Sequence, residues 1–128
     1  MAVKFLSDEW ATEVTRRLQA DEGVQKAAKG QNVTIHQVIT DTGDGESSNY
    51  LRVSDGTPQV VIGTPDKAEI TVNQSYDTAV ALDKGELNPQ AAFMQGKIKV
   101  QGNLLKLMQL QGLLSAVFKA VKDLEREY

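Results

Sequence analysis

Apolar residues change their spacing repeatedly along this chain, and each change marks an element. Trp10, Val14 and Leu18 recur every four residues, which puts them on one narrow helical face. Ser7 is placed to cap that helix, with Asp8 and Glu9 in its first turn, and the helix is expected to end before Asp21. A second short helix is predicted from Glu22 to Lys29, stopped by Gly30. The spacing then drops to two. Val33, Ile35 and Ile39 share one face of a strand over 33–40, with Gln37 the odd polar member. A turn-rich loop over 41–48 leads to a strand at 49–54, with Leu51 and Val53 inward and Arg52 outward. Asp55-Gly56 is a two-residue hairpin signal before a strand at 59–62, so these three strands are expected to form an antiparallel meander.

Past the break at Gly63-Thr64-Pro65-Asp66, Ala68, Ile70 and Val72 alternate with Glu69, Thr71 and Asn73 as a fourth strand. Ser75 caps a helix whose buried side is Tyr76, Ala79, Val80 and Leu82, ended by Gly85. Asn88 and Pro89 open a helix to Gln95, as N-cap and first helical residue, and Gly96 closes it. A fifth strand over 97–101 has Ile98 and Val100 on one side and Lys97 and Lys99 on the other. The helical stretch between the fourth and fifth strands is long enough to predict a parallel, right-handed crossover. Leu104, Leu107, Met108, Leu113, Leu114, Val117, Phe118, Val121 and Leu124 keep helical spacing from Asn103 towards Glu127, divided at Gln111-Gly112. The expected fold is α+β: one mixed sheet with helices on one face and water on the other.

Composition narrows the chemistry. With 128 residues the chain makes one domain. Its net charge of −3 argues against nucleic acid as the main partner. There is no cysteine, which removes disulfides, thiol catalysis and thiolate-bound metal. The start carries no signal-peptide pattern, no apolar run approaches the ~18 residues a membrane span needs, and the last residues are not a peroxisomal address. A cytoplasmic protein is therefore expected.

The candidate reactive groups are few. His36, the one histidine, falls on the polar face of the first strand and reads as a solvated residue. The acids of 41–46 resemble a calcium loop only superficially, because Gly43 stands where an oxygen ligand belongs. Gly63 to Lys67 has neither a P-loop nor a dinucleotide fingerprint. Lys97 and Lys99 read as a solvated face. No acid, base and nucleophile converge, so no enzyme is expected. The apolar C-terminal helices admit two readings: Leu104, Met108, Leu113, Val117 and Phe118 complete a core, or they roof a cavity for an apolar ligand.

The run Gly85-Glu86-Leu87-Asn88-Pro89 through Phe93-Met94-Gln95-Gly96-Lys97-Ile98-Lys99-Val100-Gln101-Gly102 resembles the sterol carrier protein type 2, or nonspecific lipid-transfer, family. Phe5 to Trp10, Ala27 to Gly30, Asp66 to Val72 and Tyr76-Asp77-Thr78 extend the resemblance over most of the chain. It implies a five-stranded sheet in the order 3-2-1-4-5, about five helices over one face, and a hydrophobic tunnel between them. Carried over by position, Phe93, Met94, Ile98, Val100, Leu105, Met108, Leu113, Val117 and Phe118 would border the tunnel. The implied function is noncatalytic carriage of a sterol, fatty acid or acyl-CoA, with no cofactor and with transient membrane contact, by a monomer or weak homodimer of prokaryotic type. The helix from Leu113 onward would be the lid. Many bacterial relatives carry tryptophan where this chain has Ala79, so a larger or reshaped cavity is expected here. The rival reading is an interaction module whose C-terminal apolar helix meets a partner or a second copy, with no cavity at all.

Overall fold

The structure is a computed structural model and describes residues 2–128. In chain order the elements are β1 (Val3–Lys4), α1 (Asp8–Ala20), α2 (Glu22–Ala28), β2 (Val33–Thr40), β3 (Ser47–Ser54), β4 (Thr57–Ile62) and β5 (Ile70–Ser75). They continue with α3 (Tyr76–Asp83), α4 (Pro89–Met94), β6 (Ile98–Gly102), α5 (Leu104–Gln109), α6 (Gln111–Ala120) and β7 (Arg126–Glu127). The helix starts follow local chemistry: the side chains of Ser7, Asp21, Ser75, Asn88 and Asn103 each accept a backbone N–H of the first turn. Asp55 (φ 48°) and Gly56 (φ 81°) form the turn that joins β3 to β4, with Ser54 opposite Thr57.

The main sheet has five strands in the order β4-β3-β2-β5-β6, the expected 3-2-1-4-5. β2 pairs antiparallel with β3 and parallel with β5. One expectation fails here. β5 and β6 are antiparallel, so the helical stretch between them is not a crossover. The eight residues of α3 rise only about 12 Å, short of the roughly 20 Å of a six-residue strand. The chain then turns at Gly85 (φ 77°) into the six residues of α4 and re-enters the sheet at the end it left.

Helices α1, α2 and α6 cover one face of the sheet. Val14, Leu18, Val24, Val33, Ile35, Val53, Ile70, Leu110, Leu113 and Leu124 form the main core. A second, smaller cluster joins Phe5, Ile39 and Ala79, with Trp10 set edge-on to Phe5 at 5.4 Å between ring centroids. Ala79 therefore lies in a cluster that contains none of the nine carried-over residues, and a larger lipid cavity does not follow from its small side chain.

The helical spacing past Val117 overshoots. α6 stops at Ala120, and Leu124 is buried in the main core from a turn rather than from a helix. The carbonyl of Val121 accepts a 2.6 Å hydrogen bond from Arg126 Nη1, and β7 pairs in parallel with β1. Two-residue strands carry too little alternation to be seen beforehand.

On α1, the Arg16 guanidinium grips Glu13 at 2.5 Å and holds its carboxyl down at about 2, from 4.5. The associated stabilisation is present above pH 4.5 and is lost as acid passes down towards pH 2. The pair is solvent-exposed. Acid titration of unfolding should therefore show a limb in this window that Glu13→Gln removes and added salt shrinks.

Candidate functional site

The most informative stretch of the chain folds around the edge strand β6. Asn88 Oδ1 accepts from the N–H groups of Gln90 and Ala91 to start α4, and Ala92 locks the helix inward with no exposure. Phe93 and Met94 then face outward, at 52% and 85% exposure. Ile98 and Val100 are half-buried on the helix-covered side of β6, opposite Gln74 and Val72 of β5. Asn103 Oδ1 accepts from Lys106 N–H to start α5, a helix with no fully buried residue. Its Leu105 and Met108 are 66% and 69% exposed, and Leu104 is exposed beside them. On α6, Phe118 is 49% exposed, Val117 is half-buried against the main core, and Leu113 is inside it.

Five of the nine residues thus present unpartnered apolar surface on the helices around β6. They do not complete the core, and at these exposures they do not enclose a tunnel; the apolar face is open. Two cavities among the described residues lie elsewhere. One of about 390 Å³ is lined by Val3, Glu13, Arg17, Asp123, Leu124 and Glu125. The other, of about 600 Å³, lies where Phe5, Leu6, Tyr76 and Tyr128 meet Ser47, Ser48 and Ile62. A lid cut at Leu113 also fails, because Leu113 and Leu124 are core residues and α6 packs on α2. α5 is the least anchored cover.

Two residues of the sheet's inner face went unremarked in the sequence. Asn49 and Gln74 are 3% and 8% exposed, and Asn49 Nδ2 and Gln74 Oε1 find no hydrogen-bond partner among the described residues. The signal was available: Asn49 keeps step with the inward Leu51 and Val53, Gln74 with Ile70 and Val72, and Gln37 is the odd polar letter on β2.

The other candidate chemistry is quiet. His36 is half-buried rather than fully solvated, with Nε2 2.5 Å from Ser48 Oγ. Ser48 Oγ also has the Gly63 carbonyl at 3.2 Å and accepts from Thr64 Oγ1 at 3.1 Å, so the serine is held in a local hydrogen-bond network of the strand and its neighbouring turn. Among the described residues no three His, Cys, Asp or Glu are placed to hold a metal ion, and no helix is long and apolar enough to cross a membrane.

A helix-covered, mixed five-stranded sheet with an open apolar face at its edge strand defines an α+β domain built to meet something apolar. The chain belongs to the SCP-2 sterol transfer family, which it matches over residues 12–115. It is 34% identical to sterol carrier protein 2 of Gallus gallus over 101 residues, 79% of this chain but 18% of that protein. It is 31% identical to non-specific lipid-transfer protein-like 1 of Caenorhabditis elegans over 112 residues, 86% of this chain and 91% of the relative. A crystal structure of sterol carrier protein 2 superposes with a TM-score of 0.79 at 19% identity, covering 94% of this chain and 99% of the other, which speaks for the fold. The chain spans about a fifth of the length of the sterol carrier protein 2 relatives it matches.

Proposed function

We propose that this domain binds a single apolar lipid (a sterol, a fatty acid or a fatty acyl chain) and carries it unchanged between membranes. The observation that carries the reading is the open apolar face: Phe93, Met94, Leu105, Met108 and Phe118, half to five-sixths exposed on the helices around β6. Large exposed apolar surface marks a binding face, and flexible methionine and leucine side chains adapt to varied shapes. A lipid laid along it gains about 0.8 kcal/mol per buried methylene, so no charged anchor is required. The names of the relatives, sterol carrier and non-specific lipid-transfer protein, support extending that role to this chain. With no converging acid, base and nucleophile, the role is carriage rather than catalysis, and the working compartment is the cytoplasm. Admission of the lipid moves α5, which no fully buried residue holds down.

Phe118→Ser and Met108→Ser test this. Met108 is 69% exposed and Phe118 only 49%, so unfolding free energy should move by less than about 0.5 kcal/mol for Met108→Ser and by about 1 kcal/mol for Phe118→Ser. Affinity for a fluorescent fatty acid should fall about tenfold per substitution, the loss of one large apolar contact. Native mass spectrometry of freshly purified protein should show a monomer with bound lipid. An empty dimer, with unchanged lipid affinity in both variants, would favour the rival reading of a self-association face.

A further inference from the structure

The two orphaned amides, Asn49 and Gln74, lie on the sheet face that the helices cover. The register places Asn49 directly opposite Gln37 of β2 and opposite Ile62 of β4. Gln74 stands opposite Ile39 of β2 and opposite Ile98 of β6. β3 and β5 flank β2, so the two amides stand on strands about 10 Å apart, offset by two residues along them, with Gln37 of β2 beside Asn49 and Ile39 beside Gln74. They also sit between the two apolar clusters: Ile35, Val53 and Ile70 belong to the main core, and Ile39 to the small one. Gln74 is the direct neighbour of Ile98, one of the residues proposed to border the lipid, so the polar pair continues the apolar face inward.

A buried polar atom without a partner is destabilising, and folded proteins rarely retain one that does nothing. Two at once, a donor on Asn49 and an acceptor on Gln74, form an incomplete hydrogen-bonding site. Either amide can turn about its last bond, so each can present N–H or C=O. Neither can supply charge. Along the inward positions of all five strands the polar residues are Ser47, Asn49, Gln37 and Gln74, and none is ionisable.

Resting on the carrier reading above, we infer that Asn49 and Gln74 recognise the head of the lipid, and that this head is uncharged and hydroxylated. A hydroxyl lying over β2 accepts from one amide and donates to the other. An ionised carboxylate reaching the same place could accept from both amides once Gln74 has turned, but its charge would be desolvated among inward strand positions that hold no cation. The pair therefore selects a lipid alcohol over a fatty acid of equal length.

The experiment uses the full chain and two fluorescent probes, a long-chain alcohol and the carboxylic acid of the same chain length, at pH 7.5. The wild-type protein should bind the alcohol at least tenfold more tightly. Asn49→Leu and Gln74→Met should each lower alcohol affinity about tenfold and leave acid affinity within twofold. Both ligand-free variants should melt at the wild-type temperature or above it, because an unpaired buried polar group has been replaced by an apolar one of similar size. Equal binding of the two probes by the wild type, a comparison that needs no variant, overturns head-group selection and leaves carriage standing. So does undiminished alcohol binding by both variants. Lower melting temperatures would show the amides to be structural instead. If the wild type binds neither probe, the carrier reading itself fails and this inference falls with it.

Discussion

Gly102→Ala is expected to destabilise the domain by about 3–5 kcal/mol, a rare size for one methyl group. Gly102 ends β6 at φ 107°, a backbone conformation that strains any side chain. It stands opposite Ile70, and an added Cβ would overlap Glu69 O while lying 3.0 Å from Glu69 C and 3.2 Å from Ile70 Cα. Neither strand can retreat. Glu69 O accepts from Asn103 N–H at 2.9 Å, Glu69 N–H donates to Thr34 O, and Ile70 is fully buried. Gly96 is the control. Its φ is 75° but a Cβ there meets nothing within 4 Å, so Gly96→Ala should cost only about 1–2 kcal/mol, the backbone strain alone. Urea denaturation of both variants separates the two effects. Equal losses would mean that close approach of the strands is not what Gly102 serves. Because Ile98 and Val100 lie on the same strand, Gly102→Ala should also lose lipid binding.

Arg126→Ala is expected to cost about 3–5 kcal/mol by leaving a buried partner uncompensated. Arg126 Nε lies 2.6 Å from Asp83 Oδ2, with the two side chains 8% and 15% exposed. The same guanidinium donates to the carbonyl of Val121 just past α6, and the Tyr128 hydroxyl donates to the Asp83 carboxylate. Burial first, and then that carboxylate, push the Tyr128 hydroxyl above its usual 10. One arginine thus ties the end of α3 to the end of α6 and to β7. The double variant Asp83→Leu with Arg126→Met, which removes both charges, should recover most of the loss. Calorimetric melting of the single and double variants gives the answer. A single variant within about 0.5 kcal/mol of wild type would reduce the cluster to an ordinary surface pair.

Both positions show how unevenly the fold was legible. Gly102 stood at the end of a recognised strand, and its letter marked a stop, yet its strain comes from Glu69, thirty-three residues away in sequence. Arg126 fell inside a stretch whose apolar spacing continued the last helix. Leu124 satisfied that spacing and is buried, but it reaches the core from a turn because Arg126 and β7 draw the chain back to β1. The connection after β5 was long enough to cross the sheet, and only the pairing of β6 decided that it returned on the same side.

The candidate site divides in the same way. Phe93, Met94, Leu105, Met108 and Phe118 were nominated from a family resemblance, and periodicity alone could not tell whether their helical faces were covered. Gln37 was noticed as a polar letter on an inward face, whereas Asn49 and Gln74 passed as ordinary strand residues until burial left them without partners. The sequence by itself determined which stretches form the helices and the five strands of the main sheet, with strand starts displaced by one or two residues at β3, β4, β5 and β6, because caps, turns and alternation act over three or four neighbouring residues. Tertiary structure alone decided strand direction at β6, which apolar faces stay open, and which polar groups are sealed in, because those depend on contacts between segments that local chemistry does not bring together.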